Sequence, residues 1–154
     1  MATQELAKDF LTFKRFAVVG VSRDPREFSR RLFEELLKRG YDAIPVNKNT
    51  AELDGRPCFL RPQDIKPPVK GALLMTSRDV TEQALRDCAE AGIRLVWIFG
   101  ISGPKSIGRQ SVELCKELGL AVIPGYCPYM FIPGADWFHR FHAGFLKIVG
   151  RYPV

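Results

Sequence analysis

The sequence predicts a three-layer α/β domain, Rossmann-like and doubly wound around a mainly parallel sheet, and three observations carry that prediction. Short apolar runs of strand length alternate with segments in which apolar residues recur at helical spacing. Several of the runs are apolar throughout, as strands buried on both faces of a parallel sheet require. At 154 residues the chain has the size of one domain, with enough interior to hold a core without disulfides or metals. Residues 1–154 are therefore read as a single domain, with its core over 14–128 and an aromatic helical extension over 129–154.

Each element has its own signal. Residues 4–13 carry Leu6, Phe10, Leu11 and Phe13, an amphipathic helix suited to lie over the sheet. The run from Phe16 to Gly20 is the first strand, and Leu32, Phe33, Leu36 and Leu37 then mark a helix closed by Gly40. The runs 42–46, 71–75, 93–99 and 120–123 supply further strands. Prolines at 57, 62, 67 and 68 make 49–70 a loop-rich crossover, with one short strand at 58–60. A helix over 79–91 is expected to take Asp79 as N-cap, Glu82 as capping-box partner and Gly92 as its stop. Pro104 suits the first turn of a last helix running to Gly119. In the extension, Trp137, Phe138, Phe141 and Phe145 recur at helical spacing, a stripe that fits core or a homodimer interface.

Composition bounds the function. Twenty-three basic against seventeen acidic residues give a net charge of +6, which favours an anionic partner. The basic residues are scattered and no nucleic-acid-binding motif occurs, so a phosphorylated small molecule is expected rather than nucleic acid. No apolar run spans a membrane, the N-terminus lacks a signal-peptide pattern, and the four cysteines fit neither a metal nor a disulfide framework. A cytoplasmic protein with reduced thiols is expected.

In a doubly wound sheet the ligand site lies outside the carboxyl ends of the strands. The first such end is the segment 20–31, where Gly20 permits a tight turn and the amides around Ser22 and at the next helix start can face a phosphate. A plain turn capped by Asp24 with Pro25 at the first helical position is the structural alternative. Ser22 and Pro25 occupy the places of the second and third glycines of a dinucleotide fingerprint, and Lys48 stands where NAD binding needs an acid. A cation there suits a phosphate on the ribose, which coenzyme A (CoA) and NADP both carry.

The segments Val18 to Pro25, Gly40-Tyr41 leading to Pro45 through Lys48, Val96-Trp97 and Cys127-Pro128 together resemble the CoA-binding domain family, small proteins similar to the N-terminal domain of the succinyl-CoA synthetase α subunit. The resemblance implies that the pyrophosphate of CoA lies on Gly20, Val21, Ser22 and Arg23, and that the adenosine end lies near Asn47 and Lys48. It places Thr76, Ser77 and Arg78 over the ligand from the next strand tip. It also implies a non-catalytic module that binds CoA or a short acyl-CoA, with an NADP-dependent or acyl-CoA-using enzyme as the alternative. The chain departs from the family after Trp97, where a Gln and a Gly-Val-x-Asn-Glu helix start are replaced by residues 98–105.

No catalytic or metal set is assigned. Asp136, His139 and His142 share helical spacing, which among aromatics fits packing better than a metal site. Cys127 sits at a strand end, where a buried inert thiol is the simpler expectation. Arg26, Arg30 and Arg31 are read as mainly solvated helix charges.

Overall fold

The computed structural model describes residues 2–133. Its strands are Arg15–Val19 (β1), Asp42–Val46 (β2), Glu52–Leu53 (β3), Arg56–Pro57 (β4), Gly71–Leu74 (β5), Leu95–Phe99 (β6) and Ala121–Tyr126 (β7). Five of them form one parallel sheet in the order β2-β1-β5-β6-β7, while β3 and β4 make a small antiparallel hairpin. The helices are Thr3–Thr12 (α1), Phe28–Lys38 (α2), Arg78–Glu90 (α3) and Arg109–Glu117 (α4).

The period-two geometry of a strand divides the apolar residues between two cores. Phe16, Val18, Leu73, Leu95, Trp97 and Ile123 face one side, where they meet Phe10 of α1 and Leu32, Phe33 and Leu36 of α2. Ala17, Val19, Ala72, Leu74, Val96 and Ile98 face the other and meet Ala84, Leu85 and Cys88 of α3 and Leu114 and Cys115 of α4. This is the three-layer, doubly wound arrangement that the uninterrupted apolar runs predict. Fully burying one such side chain stabilises the fold by roughly 1.5–3 kcal/mol relative to leaving it exposed. α1 covers the sheet as its apolar stripe predicts, with the Phe10 ring 4.7 Å from Phe16 and 5.5 Å edge-on to Trp97. Trp97 donates its indole N–H to the Tyr126 carbonyl at 2.9 Å, so its one polar atom is satisfied inside the core.

Both sheet edges carry a proline where the backbone turns outward. Asp42 and Val46 bond inward to Lys14 and Gly20, so Ala43 and Pro45 point away from β1. On the other edge Ala121 bonds inward to Arg94, so Val122 and Pro124 point out. Proline needs no ladder acceptor there.

Three local expectations, and the alternative of an Asp24 cap, are corrected. Asp24 does not cap α2: its carboxylate accepts from the Arg26 amide and guanidinium, closing a separate turn, and the helix begins three residues beyond Pro25. α3 starts at Arg78 with Ser77 at the N-cap position, so Asp79 falls within the first turn. Pro104 opens a separate 3₁₀ turn over Gly103–Ser106, and α4 follows only at Arg109. In the crossover, the strand expected at 58–60 reduces to a single bridge between Phe59 and Val46, and the true strands there are β3 and β4. The aromatic stripe at Trp137, Phe138, Phe141 and Phe145, and His139 and His142, lie outside the described residues. Among the described residues, no helix is long and apolar enough to cross a membrane.

Candidate ligand-binding cleft

β1 and β5 are neighbours whose crossovers leave toward opposite faces, which makes their carboxyl ends the switch point of the sheet. A cleft of about 440 Å³ opens there, floored by Val19, Gly20, Val46 and Met75 and walled by one face of α3 and by Leu60 and Pro62 of the crossover. Gly20 is required at its floor. Its φ is +92°, and a side-chain carbon on it would stand 2.6 Å from the Met75 carbonyl oxygen.

Gly20, Asn47, Lys48, Thr76 and Ser77 line this cleft. Asn47 joins the strand tips: its side-chain N–H donates to the Val21 carbonyl at 2.8 Å, and its side-chain oxygen accepts from the Asn49 amide at 2.8 Å. Lys48 is exposed at the rim. The hydroxyl of Thr81 donates to the Ser77 carbonyl at 2.8 Å, so in the 2.7 Å contact between Thr76 and Thr81 it is Thr76 that donates. The Ser77 hydroxyl donates to Asp79 at 2.5 Å. Both hydroxyl protons are thus committed within the protein, leaving oxygen lone pairs toward the cleft. The Ser77 hydrogen bond, then the backbone amide, and last the charge of Lys48 hold the Asp79 carboxyl below its usual range.

The structure keeps the other four expected residues off the cleft wall. Val21 is fully buried. The Ser22 amide donates to Ser29 Oγ at 3.0 Å, and its hydroxyl accepts from the Asp24 amide at 3.0 Å, so both stabilise the loop. Arg23 and Arg78 are exposed.

Arg30 is not a solvated charge. It is 3% exposed and donates to Glu34 at 3.0 Å and to the carbonyls of Ser22 and Arg23 at 3.4 and 3.3 Å. It also pairs with Asp54 of the β3-β4 turn, thereby tying the loop after β1 to the hairpin. Arg26 is paired with Asp24 at 2.9 Å.

Sequence reasoning missed the far wall. Asp79, Val80, Gln83, Ala84 and Asp87 of α3 all line the cleft, and their spacing places them on one helix face. That periodicity was available in the sequence, but the opposing wall at Leu60 and Pro62 was not. The cysteines are free and buried. Burial pushes the Cys127 thiol up to about 11, which leaves it a poor nucleophile at neutral pH. Among the described residues, no cluster of His, Cys, Asp and Glu could hold a metal ion.

Comparison with known proteins gives a consistent result. A family model described as the CoA binding domain matches residues 14–133. The α subunit of ADP-forming acetate–CoA ligase II from Pyrococcus furiosus is 27% identical over 125 residues, which are 77% of this chain and 27% of that subunit. The chain thus spans about a quarter of the length of that curated relative. Among solved structures, a hypothetical protein from Pyrococcus horikoshii OT3 superposes with a TM-score of 0.71 at 24% identity, covering 83% of this chain and 87% of that one. A dinucleotide-forming acetyl-coenzyme A synthetase 1 from Ca. Korarchaeum cryptofilum, solved with phosphate and ADP, superposes with a TM-score of 0.67 at 23% identity over 79% of this chain and 27% of that one. At these identities the two structures establish a shared fold.

Proposed function

This chain belongs to the CoA binding domain family, and on that premise we propose that it holds coenzyme A or a short acyl-CoA noncovalently, without chemistry of its own. The observation that carries the reading is the cleft at the β1/β5 switch point, open at the strand tips and bordered by Lys48. The adenosine end enters the cleft, and Lys48 meets the 3′-phosphate of the ribose. The pyrophosphate leaves along the loop of Gly20, Val21, Ser22 and Arg23 toward the start of α2. Arg78 flanks it from the opposite side. Because the Thr76 and Ser77 hydroxyls spend their protons inside the protein, they contribute acceptors to the ligand, and anion binding falls to cations and to loop amides other than those of Gly20 and Ser22, which donate to Val46 and Ser29.

A holding role is supported by the buried Cys127, whose raised pKa suits neither thioester exchange nor nucleophilic attack. The ligase activity of the Pyrococcus subunit is not carried over, since the match covers 27% of it.

Thermal denaturation and calorimetric titration with CoA, acetyl-CoA, NADP, NAD and ADP test the proposal. CoA at about 100 times its dissociation constant stabilises by roughly 2.7 kcal/mol. Stabilisation by NADP and not by CoA would overturn the choice of ligand. Release of free thiol from acetyl-CoA on incubation would overturn the non-catalytic role.

A further inference from the structure

Resting on the reading that CoA occupies the cleft, we propose that Gln83 and Asp87 of α3 read the amino-bearing edge of the base and select adenine over 6-oxopurines. The α3 residues lining the cleft run from Asp79 to Asp87, eight residues or about 12 Å along the helix axis. That length takes a phosphate at one end and a purine at the other.

The two ends differ in charge. Toward the start of α3 lie Lys48 and the positive end of the helix dipole, which attract phosphate and offset the one carboxylate there, Asp79, whose oxygen is already bonded by Ser77. At the other end Gln63 bridges two carboxylates, its side-chain N–H group donating to Asp87 at 3.1 Å and Glu90 at 3.0 Å. Two carboxylates meet there against one guanidinium, Arg61, which is itself paired with Asp64, so that end suits a neutral base better than a phosphate. The walls suit a flat ring, with Val19, Val46, Val80 and Ala84 on the interior and Leu60 on the lip. Leu60 is 49% exposed, one of two large hydrophobic residues left open among the described residues.

The hydrogen-bonding pattern at this end is directional. A carboxylate only accepts, so the bond between Gln83 and Asp87 at 3.1 Å fixes the amide nitrogen of Gln83 toward Asp87. Asp87 Oδ1 accepts from both Gln63 and Gln83, while among the described residues no side-chain donor reaches its Oδ2. The pair thus presents a carboxylate acceptor beside the second N–H of Gln83. Adenine offers the complement, an amino donor beside a ring-nitrogen acceptor. Hypoxanthine puts a carbonyl oxygen against the carboxylate, setting two acceptors face to face with no proton between them.

Isothermal titration of the full chain with CoA and with its deaminated, hypoxanthine-bearing counterpart tests this. The wild-type protein is expected to bind CoA roughly tenfold or more tightly than the deaminated form, because a site built on paired polar groups penalises the mismatch. D87N, whose amide can present either a donor or an acceptor, should bring the two affinities within about threefold, mainly by weakening CoA. Q83L removes the donor alone and should also weaken CoA, which keeps the test decisive if D87N fails to fold. Equal wild-type affinities for the two ligands, or unchanged discrimination in both variants, would overturn base reading while leaving CoA binding intact. Absence of CoA binding would overturn the parent proposal as well.

Discussion

Replacing Gly20 with alanine would set a methyl carbon 2.6 Å from the Met75 carbonyl oxygen and 3.0 Å from its carbon, at a backbone φ of +92°. Neither neighbour can yield cheaply. Met75 donates its amide to Val19 at 2.8 Å and Gly20 donates to Val46 at 2.8 Å, so moving either disturbs the ladder between central strands. A non-glycine residue in the left-handed region costs roughly 1–2 kcal/mol. Overpacking of this severity adds about 1–3 kcal/mol. The expected loss for G20A is therefore roughly 2–5 kcal/mol, a large fraction of the about 5–15 kcal/mol typical of a domain. Urea unfolding followed by circular dichroism measures it directly, and the midpoint should fall with an unchanged slope. The same displacement lifts the cleft floor at Met75, so CoA affinity should fall in whatever protein remains folded. A stability change below about 0.5 kcal/mol would refute the claim that this turn is closed against a side chain.

Two further outcomes follow from the cleft and the core. K48A removes an exposed cation from the place assigned to the 3′-phosphate; a charge pair near 4 Å in water is worth about 1 kcal/mol, so a nearly dianionic phosphate should lose roughly 1–2 kcal/mol, or five- to thirtyfold in affinity. Dephospho-CoA should lose little, and equal losses for the two ligands would remove Lys48 from that role. The thiols set an alkaline limit: burial, the leading cause in each, pushes Cys88 up to about 12 and Cys115 and Cys127 up to about 11, against 9.0 in the absence of perturbation. Because these pKa values are raised on folding, the unfolded chain releases their protons first, and stability present below pH 9 is lost as pH rises toward 11. Each thiol adds up to about 1.4 kcal/mol per pH unit to that slope, so denaturant midpoints should drop steeply across the window. A flat profile from pH 8.5 to 10.5, or rapid labelling of native protein by a thiol reagent, would contradict the burial.

The strands were legible because a parallel sheet buries both faces, which leaves runs such as Ala17–Val19 and Leu95–Ile98 without polar interruption. Helix starts were less legible, since several residue types compete for the same role locally. Asp24 and Pro25 fit a helix entry in composition, yet Asp24 satisfies its carboxylate two residues on, at Arg26, and the chain turns once more before α2. Long-range pairing hid the rest. Arg30 reads as a surface charge until the hairpin, 24 residues away in sequence, brings Asp54 onto it. Gln83 and Asp87 carry no local signal of a site, because nothing near them in sequence shows that Leu60 and Pro62 return opposite them.

The two outward-facing prolines also bear on how copies of this chain can meet. Pro45 has no amide hydrogen, and its carbonyl already accepts from Phe59 at 3.0 Å; Pro124 likewise offers no donor on the other edge. Among the described residues each edge thus loses one outward N–H to a proline, which makes it a poorer template for an incoming strand. Continuous sheets running from one molecule into the next are thereby disfavoured at both margins. Each proline interrupts the row of donors that edge-to-edge stacking between copies would need, so the sheet margins resist the pairing that seeds fibrils.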